Sequence, residues 1–80
     1  MDTLATPEHS ARKILSIFVE RGCGPADSVE INHFIEAWDT RKLNDDHFMP
    51  GIEFAVRHGW VEVVEDGDYF RLTDKGFVEA

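Results

Sequence analysis

The Asp66-Gly67 dipeptide constrains the fold of this chain more than any other feature, because a short apolar run lies on each side of it. Asp-Gly favours a type I′ turn, in which both central residues have positive φ. Such a turn sets Glu65 opposite Asp68 and Val64 opposite Tyr69, and each further pair follows one residue outward. We therefore predict a β-hairpin near the C-terminal end of the sequence.

The two faces of this hairpin differ in polarity. One face carries Glu62 opposite Arg71, which predicts an ion pair, followed by the contact between Val64 and Tyr69. Cross-strand pairs of this kind contribute roughly 0.2–1 kcal/mol each. The other face is wholly apolar and is expected to lie against the helices. It consists of Val61, Val63, Phe70 and Leu72.

Apolar residues at three- and four-residue spacings predict a first helix that begins at Thr6 and Pro7. Threonine caps the free amides of a helix, and proline fits its first position. Gly22 ends the helix, and Ile17 falls outside the apolar stripe, where it is predicted to be exposed. The stripe itself is Ala11, Ile14, Leu15, Phe18 and Val19.

Two further helices are predicted between this helix and the hairpin. A short helix spans residues 30–39, and a small strand at Val29 precedes it. A third helix begins between Asn44 and Phe48 and closes at Gly59, because glycine commonly follows the last turn of a helix. The residues expected to face the core are Ile31, Phe34, Ile35 and Trp38 in the second helix, and Phe48, Ile52 and Ala55 in the third.

Composition limits the partners of the chain. Sixteen acidic residues against eight basic ones give a formal charge of −8, which works against binding to DNA, RNA or acidic lipid. We treat residues 1–80 as one domain and expect residues 1–5 to be disordered. A single cysteine, the lack of a secretory signal and the lack of an apolar span favour a cytoplasmic protein with no membrane partner.

The C-terminal part of the sequence resembles the winged helix-turn-helix family. In many winged domains a glycine and an aromatic or apolar residue end the third helix, and the second strand of the wing runs into Leu-Thr-x-x-Gly. The matching residues are Gly59, Trp60, Leu72, Thr73 and Gly76, and the helix order extends the likeness over nearly the whole chain. The resemblance implies an α+β fold, with a three-helix core and a C-terminal β-hairpin wing. It also implies a DNA-binding regulator whose third helix enters the major groove.

The residues that would have to contact DNA fit that role poorly. Arg57 is the one dependable cation on the outward side of the predicted third helix, and Arg41 and Lys42 lie in the turn before it. Phosphate contacts supply much of the affinity for DNA. Acids at those contacts would instead repel the duplex, and the tip of the wing carries Glu65, Asp66 and Asp68.

Neither catalysis nor a cofactor is predicted. A nucleophile needs a base within hydrogen-bond reach, and Cys23 lies between two glycines with no histidine placed to activate it. The four histidines are scattered and have no metal-ligand spacing. The run Asp45-Asp46-His47 is more simply a helix start, where acids interact well with the helix dipole. An enzyme is therefore the third hypothesis, after a protein-binding and a DNA-binding module.

We interpret the chain as a small non-catalytic winged-helix module that acts through protein–protein contact, as a regulatory or adaptor domain or as a homodimer. Interfaces have an apolar centre and a polar rim, which the third helix and the outer face of the wing can supply. The predicted contact residues are Met49, Phe54, Arg57, Val64 and Tyr69. The alternative is a DNA-binding transcriptional regulator that uses the third helix and the wing, with contacts from Arg41, Lys42 and Arg57.

Overall fold

The computed structural model describes residues 6–80, which form four helices and a small three-stranded antiparallel sheet. The predicted disorder of residues 1–5 lies outside the described residues, and the predicted α+β class is confirmed. The helices are α1 (Pro7–Glu20), α2 (Ile31–Thr40), α3 (Phe48–Arg57) and α4 (Asp74–Glu79). The strands are β1 (Ser28–Glu30), β2 (Val61–Val64) and β3 (Tyr69–Leu72), and short 3₁₀ turns cover Asp45–His47 and Glu65–Gly67.

Helix α1 begins as predicted, with the Thr6 hydroxyl accepting a hydrogen bond from the His9 amide at 3.1 Å. Its buried face is rotated from the predicted one: Ile17 is 3% exposed and Val19 is 48% exposed, so both of these assignments are wrong. The cause is α3, which packs against the buried Ser10. Ser10 lies two turns before Ile17 on the same side of α1, and this side of the helix is the buried one.

Helix α3 begins within the predicted range and packs closely against α1. Gly51 in its first turns lies against Ser10, while Arg57, its last residue, shares a shallow depression with Pro7, the first residue of α1. A side chain on Gly51 would collide with α1, so glycine permits the close approach. His58 follows the helix, and Gly59 then adopts a φ of +74°, which ends α3 where the sequence predicts.

The sheet has the order β1-β3-β2, and the predicted pairing of the hairpin is confirmed. Asp66 and Gly67 have φ values of 56° and 100°, and the Asp68 amide donates to the Glu65 carbonyl at 3.1 Å. The predicted strand at Val29 is also confirmed as part of β1. The hairpin pairs are Val61 with Leu72, Glu62 with Arg71, Val63 with Phe70, and Val64 with Tyr69.

The inner face of the sheet is covered unevenly. Phe70 in the central strand is buried, and its ring lies 5.6 Å from Phe34, which in turn lies 5.0 Å from Phe18. Val63, its partner across the hairpin, is 50% exposed, so the prediction that Val63 faces the helices is wrong. Val63 lies in the edge strand β2, and Val61 of the same strand is 1% exposed, so the covered part of the inner face reaches Val61 but not Val63.

Helix α4 is longer than the single last turn that the sequence predicts. The Thr73 hydroxyl caps it by accepting from the Gly76 amide at 3.0 Å and donates to the Gly59 carbonyl at 2.5 Å. Gly76 packs directly on the Trp60 carbonyl oxygen, and a Cβ atom at that position would overlap with it. The close approach fixes α4 against the junction between α3 and β2.

Candidate functional site

The predicted contact residues do not form one continuous surface. Met49 is exposed on α3, but Phe54 follows five residues later, which turns it by about 140° around the helix axis. Val64 and Tyr69 are neighbours across the hairpin, on the sheet face that points away from the helices. The apolar centre that the sequence predicts is therefore divided among three parts of the surface.

Phe54 belongs to an aromatic cluster that ties the helices together. Its half-buried ring stacks on His58, with centroids 4.1 Å apart, and meets the edge of Trp60 at 5.5 Å. The guanidinium group of Arg12 lies 5.1 Å from the centre of the Trp60 ring and donates to the Glu79 carbonyl at 3.3 Å. These contacts join α1, α3, α4 and Trp60, the residue before β2, which gives Phe54 a structural role.

The three cations of the DNA-binding alternative are not assembled into one patch. Arg41 forms an ion pair with Glu20, the last residue of α1. Arg57 instead shares a depression with Pro7, the first residue of α1. A helix of this length separates its ends by about 20 Å. The Debye length is about 10 Å at 0.1 M salt, so the two arginines act separately. Lys42 is exposed in the turn after Arg41.

The hairpin of β2 and β3 is acidic in the structure as in the sequence. The predicted ion pair is confirmed, with Arg71 Nη2 lying 2.7 Å from Glu62 Oε1, so a carboxylate offsets the charge of this arginine. Tyr69, which is partly exposed, pairs with Glu30 of β1 on its other side. The turn at the tip exposes three more acids, Glu65, Asp66 and Asp68.

A second apolar site, absent from the sequence predictions, lies between α2 and the start of α3. We call it the α2–α3 depression; it has a volume of about 220 Å³ and is lined by Ile35, Trp38, Asp45 and Phe48. Trp38 and Phe48 are buried and meet edge to face at 5.3 Å, so they form its floor. Ile35 is 48% exposed, so its predicted place in the core is wrong.

The polar groups of the depression lie at its edge. The Trp38 indole N–H donates to the Asn44 carbonyl at 2.9 Å, so it is not available to a ligand. Asp45 lines the depression and Asp46 is exposed beside it. Asp39 is exposed on α2 one turn after Ile35, on the same side of the helix. The depression is thus apolar at the centre and acidic at the rim.

Other kinds of chemistry find little support in the described residues. Within residues 6–80, no three His, Cys, Asp or Glu side chains lie close enough together to hold a metal ion. Burial, and then the charge of Asp27, raise the pKa of the Cys23 thiol, and Arg21 offsets this only in part. A raised pKa lowers the thiolate fraction and makes a poor nucleophile. Over the same residues, no helix is long and apolar enough to cross a bilayer.

Comparisons with known proteins do not assign the chain to a family. It matches no protein-family model, no curated protein and no solved structure at a significant level. Fold, charge and surface shape are therefore the features from which its function is inferred.

Proposed function

We propose that this chain is a small non-catalytic domain of the winged-helix type and that it acts through protein–protein contact. The element order α1, β1, α2, α3, β2, β3 supports the first part, because the family resemblance implies a three-helix core followed by a hairpin wing. The glycines at positions 59 and 76 support it too, since each lies at the junction where the resemblance expects it.

The chemistry of the α2–α3 depression carries the second part of the proposal. In the DNA-binding members of the family this region approaches the duplex, where cations are needed. Here it offers an exposed Ile35, a floor of Trp38 and Phe48, and the carboxylate of Asp45. Exposed Met49 is the residue after Phe48 on α3 and adds a further apolar side chain to this end of the helix. An apolar centre with a charged rim is the usual make-up of a protein interface.

The DNA-binding regulator is the less supported alternative. It would depend on Arg41, Lys42 and Arg57, and Arg41 is already engaged by Glu20. The formal charge of −8 would oppose the approach of a polyanion as a whole. Regulation of transcription through contact with another protein remains compatible with the proposal, because the winged-helix fold does not itself dictate DNA binding.

A titration with DNA separates the two functions. The ¹⁵N-labelled domain is mixed with duplex DNA of mixed sequence, and its mass is followed in parallel by sedimentation. We expect no binding tighter than about 10⁻⁴ M at physiological salt, which is the weak non-specific range. A sub-micromolar complex whose shifts centre on Arg41, Lys42 and Arg57 would overturn the proposal and favour the regulator.

Photo-cross-linking in cells that produce the protein tests the contact function directly. A photoreactive residue replaces Met49 or Tyr69, and Ser16, which is exposed on α1, serves as the control position. The expected result is a discrete protein adduct from Met49 that Ser16 does not give. An adduct from Tyr69 alone would move the contact surface to the outer face of the wing. Equal yields from all three positions, or no adduct from any, contradict a dedicated contact surface.

A further inference from the structure

We infer that the α2–α3 depression receives a large apolar side chain from a cationic segment of a partner protein. The inference rests on the proposed function and adds to it the class of partner. Size supports it first: about 220 Å³ is below the 300–1,000 Å³ usual for small-molecule sites. A cavity of about 150 Å³ already holds a benzene ring, so the depression has room for one leucine or phenylalanine side chain.

The lining explains why the inserted group should be apolar. Trp38 and Phe48 form the floor, and the one polar hydrogen of the indole is already donated to the Asn44 carbonyl. Ile35 forms a wall with half of its side chain open to solvent. A polar side chain would lose its water here without gaining a partner from the floor, whereas an apolar one would remove exposed hydrocarbon from water.

The rim explains why the inserted segment should be cationic. Asp45 lines the depression, and Asp39 and Asp46, which follow the lining residues Trp38 and Asp45 in sequence, are exposed. The nearest cations in sequence are Arg41, which is engaged by Glu20, and Lys42 in the turn. Acids therefore dominate the edge, and the net charge of −8 extends the same preference over longer range. Complementary charge speeds association and suppresses wrong partners, so lysines or arginines beside the apolar side chain are favoured.

The same charges argue against other occupants. A second copy of this chain would bring an equally acidic surface to the rim, and like charges facing one another are unfavourable. A small-molecule ligand would need convergent polar groups for orientation, and Asp45 is the one charged residue of the lining among residues 6–80.

Two synthetic amphipathic peptides of equal length test the inference. One carries leucine and phenylalanine on one face and lysine on the other, and the second has glutamate in place of each lysine. Binding is followed by NMR through the amide of Ile35 and the indole N–H of Trp38, with the Trp60 indole as an internal reference. We expect the lysine peptide to shift the first two signals and to bind at least about tenfold more tightly than the glutamate peptide. Raising the salt from about 0.05 M to about 0.5 M should weaken the lysine peptide by about fivefold.

Matched variants locate the site. Ile35→Ser should weaken binding of the lysine peptide by about tenfold, whereas Val19→Ser should not, although both side chains are 48% exposed on helices. Asp45→Asn should weaken binding severalfold, whereas Asp66→Asn makes the same change of charge at the wing tip and should not. The amide spectrum of each variant verifies that it is folded.

Three results would overturn the inference: equal binding of the two peptides, shifts that centre on the wing tip, or no binding at millimolar peptide. If these occur while Met49 still gives its protein adduct in cells, the class of partner is wrong and the proposed contact function stands. If the adduct is missing as well, both are wrong.

Discussion

Gly51 of α3 lies directly against Ser10 of α1, so that a Cβ atom on the glycine would stand 2.7 Å from the serine Cβ. The same atom would lie 3.0 Å from the Ser10 carbonyl carbon and 3.1 Å from the Ala11 nitrogen. These are backbone atoms, which cannot move aside as a flexible side chain can. The closest approach of the two helices therefore depends on a missing side chain.

Gly51→Ala should destabilise the domain. Forcing a methyl group into a packed interface costs about 1–3 kcal/mol, and this cost opposes the gain of about 1 kcal/mol from replacing glycine in a helix. Unfolding in urea measures the net effect. Gly24→Ala is the control, because its new Cβ would have no neighbour closer than 4.0 Å. If Gly51→Ala is as stable as the control, α1 and α3 can move apart to admit the methyl group without a loss of stability.

Phe70 and Val63 face each other across the hairpin but differ in burial, so truncating them should have unequal effects. Phe70→Ala removes a ring that is 3% exposed and should cost about 3–5 kcal/mol. Val63→Ala acts at an edge position that is 50% exposed and should cost less than about 1 kcal/mol. Thermal unfolding followed by circular dichroism compares them. Equal losses would mean that the helical layer covers both.

Phe54 and Tyr69 are both predicted from the sequence to contact a partner. Single substitutions should show that they differ in their effect on stability. Phe54→Ser breaks the stack with His58 and the edge contact with Trp60, so the melting temperature should fall by several degrees. Tyr69→Ser removes a ring from the outer face of the hairpin and should leave the fold intact. A stable, fully folded Phe54→Ser variant would contradict the structural role of this ring and favour its role as a contact residue.

The Cys23 thiol should react slowly and give stability a dependence on alkaline pH. Its pKa is raised in the folded protein, first by burial and then by Asp27, so alkylation at pH 8 should be slower than in the urea-unfolded chain. The associated stability is complete below the unfolded thiol pKa and is lost as the pH rises through the folded one. Cys23→Ser should remove that decline. Equal alkylation rates in the folded and unfolded chains would show that the thiol is not shielded.

Local sequence signals predicted the hairpin well because they act over a few residues. Asp66 and Gly67 set the turn, and the register follows from it for four pairs. Thr6 and Thr73 likewise cap the helices they were expected to cap, because a cap needs only the first turn of the helix.

The errors in helix burial arise at the edges of apolar stripes. Ile17, Val19 and Ile35 all lie beside a stripe, and helical periodicity does not say on which side the next element packs. The close approach of Gly51 determines which side of α1 is buried, and nothing in the sequence of α1 itself indicates this contact. The α2–α3 depression was missed for the same reason, since it required Ile35 to be treated as exposed.

The order of strands in the sheet has a consequence for the path of folding. Strand β2 reaches β3 through a four-residue connection, whereas Val29 of β1 pairs with Phe70 about 40 residues away. Closing the longer loop costs more entropy and encloses α2 and α3, so we expect the hairpin to form early and β1 to join late. Stopped-flow measurements should then show that changes at Gly67 mainly slow refolding, whereas Val29→Ala mainly speeds unfolding. The central strand would thus be committed to one neighbour long before it meets the other.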